Sequence, residues 1–230
     1  LLLLWYALSA LTDVRILPPP HLVGVRLAAE AVPILRHAAA SLARVLAALV
    51  LSAVLAVPLG ILMGRRAGVD RFLTPLAYLL YPIPKIALLP MLLLLLGTGN
   101  VTRVTLVTLV LFFQMLLAVR DSSRAVEQAY LQAMDSLGGS PRDRFRHVIW
   151  PSVLPRLLSA VRIASATALA VLFFAETFFT ELGLGYYIVN SWLRLDYLSM
   201  YAGILAMSLV GLLLFAVVDL AERRVSRWRG

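Results

Sequence analysis

Two charged side chains lie inside apolar runs of this 230-residue chain: Lys85 in YPIPKIALLP (81–90) and Glu176 in LFFAETFF (172–179). A charge within hydrocarbon costs about 3 kcal/mol or more unless it meets water or a partner, so each marks a place where function is expected. The chemistry these types support there is ion or solute handling. Lys85 falls about 18 Å along its apolar run at ~1.5 Å per residue, near mid-bilayer, and Glu176 falls closer to the opposite end of its own run. Pro82 and Pro84 flank the lysine and each removes a backbone donor, which at that depth is tolerated only against protein or a water-filled cavity. Tyr81, Pro82, Pro84 and Lys85 are therefore read as lining a pathway; a kinked helix packed in the bundle with Lys85 snorkelling is the other reading. Glu176 is read as a pathway or outer-gate residue, the alternative being a satisfied structural carboxylate; a Lys85–Glu176 pair is conceivable.

Bond-making chemistry finds no support. Lys85 is the sole lysine and no glycine-rich phosphate loop precedes it, so the chain cannot itself bind ATP in that manner. His21, His37 and His147 are scattered without HExxH spacing. No GxSxG is present, and with no cysteine there are neither disulfides nor thiolate metal sites.

The longest polar interval, Arg120 to Pro155, has a design of its own. Val126, Tyr130, Ala133, Met134 and Leu137 fall at three- and four-residue spacing, one face of a helix. Gly138-Gly139 ends that helix, since glycine adopts the left-handed conformation of a C-terminal cap. Ser140-Pro141-Arg142-Asp143 restarts one, with a capping hydroxyl, proline at the first helical position and a carboxylate three residues on. Phe145, Val148 and Ile149 face one way, and Pro151 and Pro155 are expected to limit the run. The sequence thus predicts a helix–turn–helix with an oily face, which needs a groove to fill.

The elements that position these residues are membrane spans. Hydrophobic residues are 61% and charged residues 14% of the chain, and the mean hydropathy is +0.90, against about a quarter charged in soluble domains. Expected spans cover Ala38–Met63, Phe72–Leu96 (interrupted by Pro82, Pro84 and Pro90), Val101–Val119, Leu157–Thr180 and Met200–Leu220. Leu1–Leu11 is about half the ~20 residues a span needs and is read as the end of a first span, or else as an interfacial segment. Thr12–Arg36 reads as a polar, proline-bearing loop, and Gly183–Tyr186 as a tight turn at the outer surface. The formal charge is +9, from 21 Lys+Arg against 12 Asp+Glu, but the arginines gather at the ends of apolar runs, which indicates topology and no nucleic-acid surface. Arg65, Arg66 and Arg71, the arginines from Arg120 to Arg156, and the tail Arg223, Arg224, Arg227 and Arg229 share one side. Arg15, Arg26, Arg36 and Arg194 share the other. The richer side is inside, giving six spans with both ends cytoplasmic and the capped element in the cytoplasm.

The capped stretch resembles the EAA loop of binding-protein-dependent ABC importer permeases, reading Gln132-Ala133-Met134, then Gly138, then Ile149-Trp150-Pro151. The surroundings are similar to the nitrate, sulfonate and taurine branch. The matching pieces are YPIPKIALLP, LG at 137–138, VLPRLLSAVRIA at 153–164, AE at 175–176, GLGY at 183–186 and the terminal ERR–RW. Gln132 stands where the motif has glutamate, Met134 where it has alanine, and Trp150 where it has a small or aliphatic residue.

The resemblance implies an all-α type I importer permease in the bacterial cytoplasmic (inner) membrane, one domain over 1–230 with the coupling loop at 120–155. It implies two cytoplasmic ATPase subunits, which bind the ATP and Mg, a second permease copy, an external solute-binding protein and contact with membrane lipid. The chain itself would have no cofactor and no enzymatic activity. Tyr130, Gln132, Ala133, Met134, Leu137, Gly138, Ser140, Phe145 and Pro151 would form the ATPase-coupling surface. The solute would be small and anionic. The competing class is an ion-coupled secondary transporter or channel using Lys85 and Glu176, although such a protein has no need of a capped cytoplasmic helix pair.

Overall fold

The computed structural model describes residues 2–12 and 16–226; Arg15 and the tail residues Arg227, Trp228 and Arg229 lie outside them. Among the described residues every regular element is helical. In order these are α1 (Leu2–Leu11), α2 (Pro20–Ala29), α3 (Ala31–Arg65), α4 (Ala67–Leu80), α5 (Leu89–Leu96), α6 (Asn100–Arg124), α7 (Gln128–Ser136), α8 (Pro141–Arg144), α9 (Trp150–Ala175), α10 (Leu184–Leu193) and α11 (Tyr197–Ser226). A 3₁₀ turn, Lys85–Leu88, joins α4 to α5, and a π-helical turn, Phe145–Ile149, joins α8 to α9.

Among the described residues four helices are long and apolar enough to cross a membrane: α3, α6, the continuous run from Pro141 to Ala175, and α11. A fifth crossing exists if α4 and α5 count as one span, bent by 79°. The break falls where Pro82 and Pro84 withhold their donors. α1 has ten residues, all apolar but Ser9, and is shorter than a span.

α6 is the centre of the bundle, packed between α3 and α9, while α11 lies against α9, α10 and α2. Leu106, Val107, Leu111 and Met115 of α6 are fully buried among Val45, Ala48 and Ala56 of α3 and Ala164, Ala168 and Leu172 of α9. Close approach of α3 and α6 depends on small residues, as between helices in lipid generally. A Cβ on Gly64 would stand 2.6 Å from the Arg120 carbonyl oxygen and 2.7 Å from Ser123 Cβ. Ser52 donates to the Thr108 carbonyl and Arg65 to that of Ser123, so polar bonds also cross this seam.

Three sequence expectations are corrected. Residues 12–36 are not simply a loop: Pro20 opens α2 from its first turn, the one place where a helix loses nothing to proline, and α3 begins at Ala31. Pro151 and Pro155 do not limit the helix begun at Ser140, because the π turn just before them absorbs the interrupted ladder and α9 continues to Ala175. Gly183 is no isolated surface turn but the N-cap of α10, which lies against α11 and α3.

Replacing Gly64 by valine is expected to push α3 and α6 apart and cost about 1–3 kcal/mol. Gly68, whose Cβ would meet nothing within 4 Å, is the matched control. Thermal unfolding in detergent should show a lowered midpoint for the first and little change for Gly68→Val.

Candidate functional site

The capped element projects beyond the end of α6. Val126 is buried at its root, and Leu131, absent from the stripe read in the sequence, is the inward anchor of α7 at 5% exposure. Tyr130 (59% exposed) and Leu137 (83%) face outward with Gln132 and Ala133, while Met134 is half-buried. The stripe is therefore split: one edge holds α7 to the bundle and the other is an apolar surface without cover. α7 ends as its glycines require. Gly138 has φ +74°, its N–H donates to Asp135 O at 3.0 Å, and Gly139 N–H donates to Met134 O at 2.9 Å. The restart forms a complete capping box: Ser140 Oγ accepts from Asp143 N–H at 3.3 Å and Asp143 Oδ2 accepts from Ser140 N–H at 2.9 Å. Arg144 reaches back to Asp135 at 3.1 Å, a pairing by charge across the turn. Phe145, 44% exposed, stacks against Trp150 with centroids 6.1 Å apart, beside the half-buried Pro151.

At the root of this element Arg120 grips Asp70 of α4 with Nε–Oδ1 2.6 Å and Nη2–Oδ2 2.9 Å, and also bonds Asp121 at 2.8 Å.

Lys85 and Glu176 do not meet. Lys85 Nζ folds back over the end of α4 and donates to the carbonyls of Leu80 (3.0 Å), Tyr81 (2.8 Å) and Ile83 (3.3 Å), with the Phe113 ring 4.8 Å away. Leu80 O loses its helical donor because Pro84 has no N–H, and it accepts from the lysine and, at 3.4 Å, from Ile83 N–H. The lysine thus caps a broken helix, where a cation is favoured at the carbonyl end. Tyr81, Pro82 and Pro84 are exposed around it. Next to the break, Pro84, Leu89, Pro90, Leu93, Phe174 and Phe178 line an apolar cavity of about 780 Å³.

Glu176 is fully buried at the C-cap of α9. It accepts from Ser41 Oγ (3.0 and 2.8 Å), Arg44 Nη1 (2.5 Å) and Gly185 N–H (3.0 Å). Arg44 continues to Leu182 O at 2.7 Å and Asn100 Oδ1 at 2.8 Å. This is the geometry of a satisfied structural carboxylate: it ties α3, α9, α10 and the start of α6 together. Arg103 does the same for carbonyls, holding those of Thr98, Gly99, Phe178 and Phe179, the last in a left-handed conformation at φ +47°. Neither arginine was singled out as a partner in the sequence. The available signal was Glu176 itself, since a carboxylate in an apolar run demands a cation at the same depth, and Arg44 stands near the start of the Ala38–Met63 run.

The same end carries a polar recess formed by Glu30, His37, Glu181, Tyr187, Asn190 and Asp196. Burial would raise the Glu30 carboxyl, but hydrogen bonds from Tyr187, Arg26 and Ser199 outweigh it and hold the group below its ordinary range. Among the described residues no His, Asp or Glu cluster suited to a metal is found.

Residues 56–227 match the family model described as the binding-protein-dependent transport system inner membrane component. The chain belongs to this family. It is 29% identical to the taurine transport system permease protein TauC of Escherichia coli, over all of this chain and 87% of that protein. It is 31% identical to the formylaminopyrimidine transport permease protein ThiX of Halalkalibacterium halodurans, over 84% of this chain and 77% of that one. The putative aliphatic sulfonates transport permease protein SsuC of Bacillus subtilis is 28% identical over 84% of this chain and 70% of that one. Inward-facing conformations of the MetNI methionine ABC transporter share the fold, with a TM-score of 0.68 at 20% identity, covering 83% of this chain and 95% of the other. The type I importer permease fold and the nitrate, sulfonate and taurine branch expected from the sequence are thus supported.

Glu176→Gln leaves Arg44 buried without its counter-charge and is expected to cost about 3 kcal/mol or more, whereas Ser41→Ala, which removes one donor to the carboxylate and the acceptor of Leu184 N–H, should cost about 2 kcal/mol. Thermal unfolding in detergent checks the order; equal, small effects would contradict the structural role.

Proposed function

We propose that this chain is the translocating subunit of an ATP-driven importer, and that the face of α7 bearing Tyr130, Ala133 and Leu137 docks in a groove of a cytoplasmic ATPase subunit. The observation that carries this reading is the uncovered apolar edge of a helix capped rigidly at its far end by Gly138, Ser140 and Asp143. A surface so stiffly held transmits displacement, which a loose loop would absorb. Gln132, Met134, Phe145 and Pro151 border the docking face. ATP and Mg belong to the ATPases, two of which act on a two-fold pair of permease copies. Solute arrives from an external binding protein. Residues 1–230 act as one domain in the inner membrane with both ends cytoplasmic, and 120–155 is its coupling loop.

The solute is a small anion of the sulfonate or taurine kind, a reading supported by the named relatives. It passes the broken span at Tyr81, Pro82, Pro84 and Lys85, next to the apolar cavity. Glu176 serves at the outer gate by holding α9 to α3 and α10. An ion-coupled carrier would need Lys85 and Glu176 on one path, yet each is occupied by separate protein partners.

Leu137→Asp and Gly138→Arg are expected to insert in the membrane normally while losing ATPase association and ATP-dependent uptake of labelled taurine, alkanesulfonate or nitrate. Co-purification and uptake in a deletion strain check this, and full transport in either variant rules out the coupling role of α7.

A further inference from the structure

We propose that the Asp70–Arg120 ion pair is the linkage through which movement of the coupling element reaches the proline-broken span. The inference rests on the coupling reading above.

Arg120 lies in the last turns of α6, three residues of connection before α7. Its guanidinium engages both oxygens of Asp70, in the first turn of α4, and the two side chains are only 10% and 17% exposed. This bidentate geometry fixes angle as well as distance. Thr74 donates to Asp70 at 2.7 Å and sets its rotamer, and Arg124 adds a second, more exposed cation at 3.4 Å.

What makes the pair a linkage is how little else joins these helices. α4 leans on α3 and makes little contact with α6 along its length. Only Ala77 of its fourteen residues is buried. From Asp70 to Leu80 the helix is an arm about 15 Å long at ~1.5 Å per residue. Its far end is held by Lys85 against the Leu80, Tyr81 and Ile83 carbonyls, so the 79° turn into α5 is attached to the arm. A push on α7 that moves the end of α6 then moves α4 through the arginines held on Asp70, Arg120 foremost, and with it the break beside the apolar cavity. Asp70 and Arg120 are positioning residues, acting through α4 without touching solute.

The test uses the chain assembled with its co-purifying ATPase subunits and binding protein in proteoliposomes. The chain contains no cysteine, so Phe72→Cys and Ala125→Cys, in one copy per complex, carry the only labels on this subunit. The distance between them should stay the same in the nucleotide-free and ATP-bound states, and should vary between states once Asp70→Asn is added. In that variant ATP hydrolysis should persist while uptake falls about tenfold, and the exchange Asp70→Arg with Arg120→Asp should restore uptake in part. A distance that changes with nucleotide in the parent chain, or unchanged uptake in Asp70→Asn, would overturn the linkage. Uptake by the parent complex that does not depend on ATP would overturn the importer reading instead.

Discussion

A backbone carbonyl cut off from both water and its helical donor needs another partner, and this constraint explains where Lys85, Arg103 and Arg44 sit. Lys85 holds the carbonyls at the end of α4. Arg103 holds two carbonyls before α6 and two after α9, and Arg44 holds that of Leu182 while neutralising Glu176. Each charge reaches carbonyls that lie where a helix stops. Each therefore does two things at once: its own desolvation is offset by charge-assisted bonds, and an irregular stretch of backbone is made tolerable. Irregular backbone is what a transport path needs, because a bundle of uninterrupted helices offers neither polar lining nor a place to bend.

The two ends of the molecule use this device differently. At the end carrying Glu30, Glu176 and Tyr187, the network is dense and spans α2, α3, α9, α10 and α11, so that end behaves as one body. At the opposite end the ties join helices in pairs: Ser159 and Arg162 of α9 reach Glu222 and Asp219 of α11. Arg120 joins α6 to α4, Arg65 joins α3 to α6, and the capped element hangs from Val126 and Leu131. A densely networked end opposite one tied helix by helix suits the proposed role, in which the coupling element drives the molecule.

Local chemistry was legible in the sequence and long-range pairing was not. The glycine stop at Gly138, the Ser140–Asp143 box and the proline break at 82–84 involve residues within a few positions of each other, and periodicity and turn chemistry report them faithfully. The same periodicity could not say which edge of α7 faces the bundle, so Leu131 was missed and Val126 was grouped with the outward face. α2 and α10 were missed because Arg26 and Asn190 within them, and Glu30 at the end of α2, read as loop when their partners on other helices are unknown. The Arg44–Glu176 and Asp70–Arg120 pairs join residues 132 and 50 positions apart. No spacing rule reaches so far, and only the depth of each charge in its apolar run points to a mate.

The central claim is that the outward edge of α7 is covered by an ATPase. Since the chain contains no cysteine, Ala133→Cys places one thiol on that edge. Reactivity of this thiol toward a membrane-impermeant maleimide in inside-out vesicles measures the cover directly. The account predicts rapid labelling of the chain alone and strong protection once the ATPase subunits are assembled with it. Equal labelling in both preparations would contradict it.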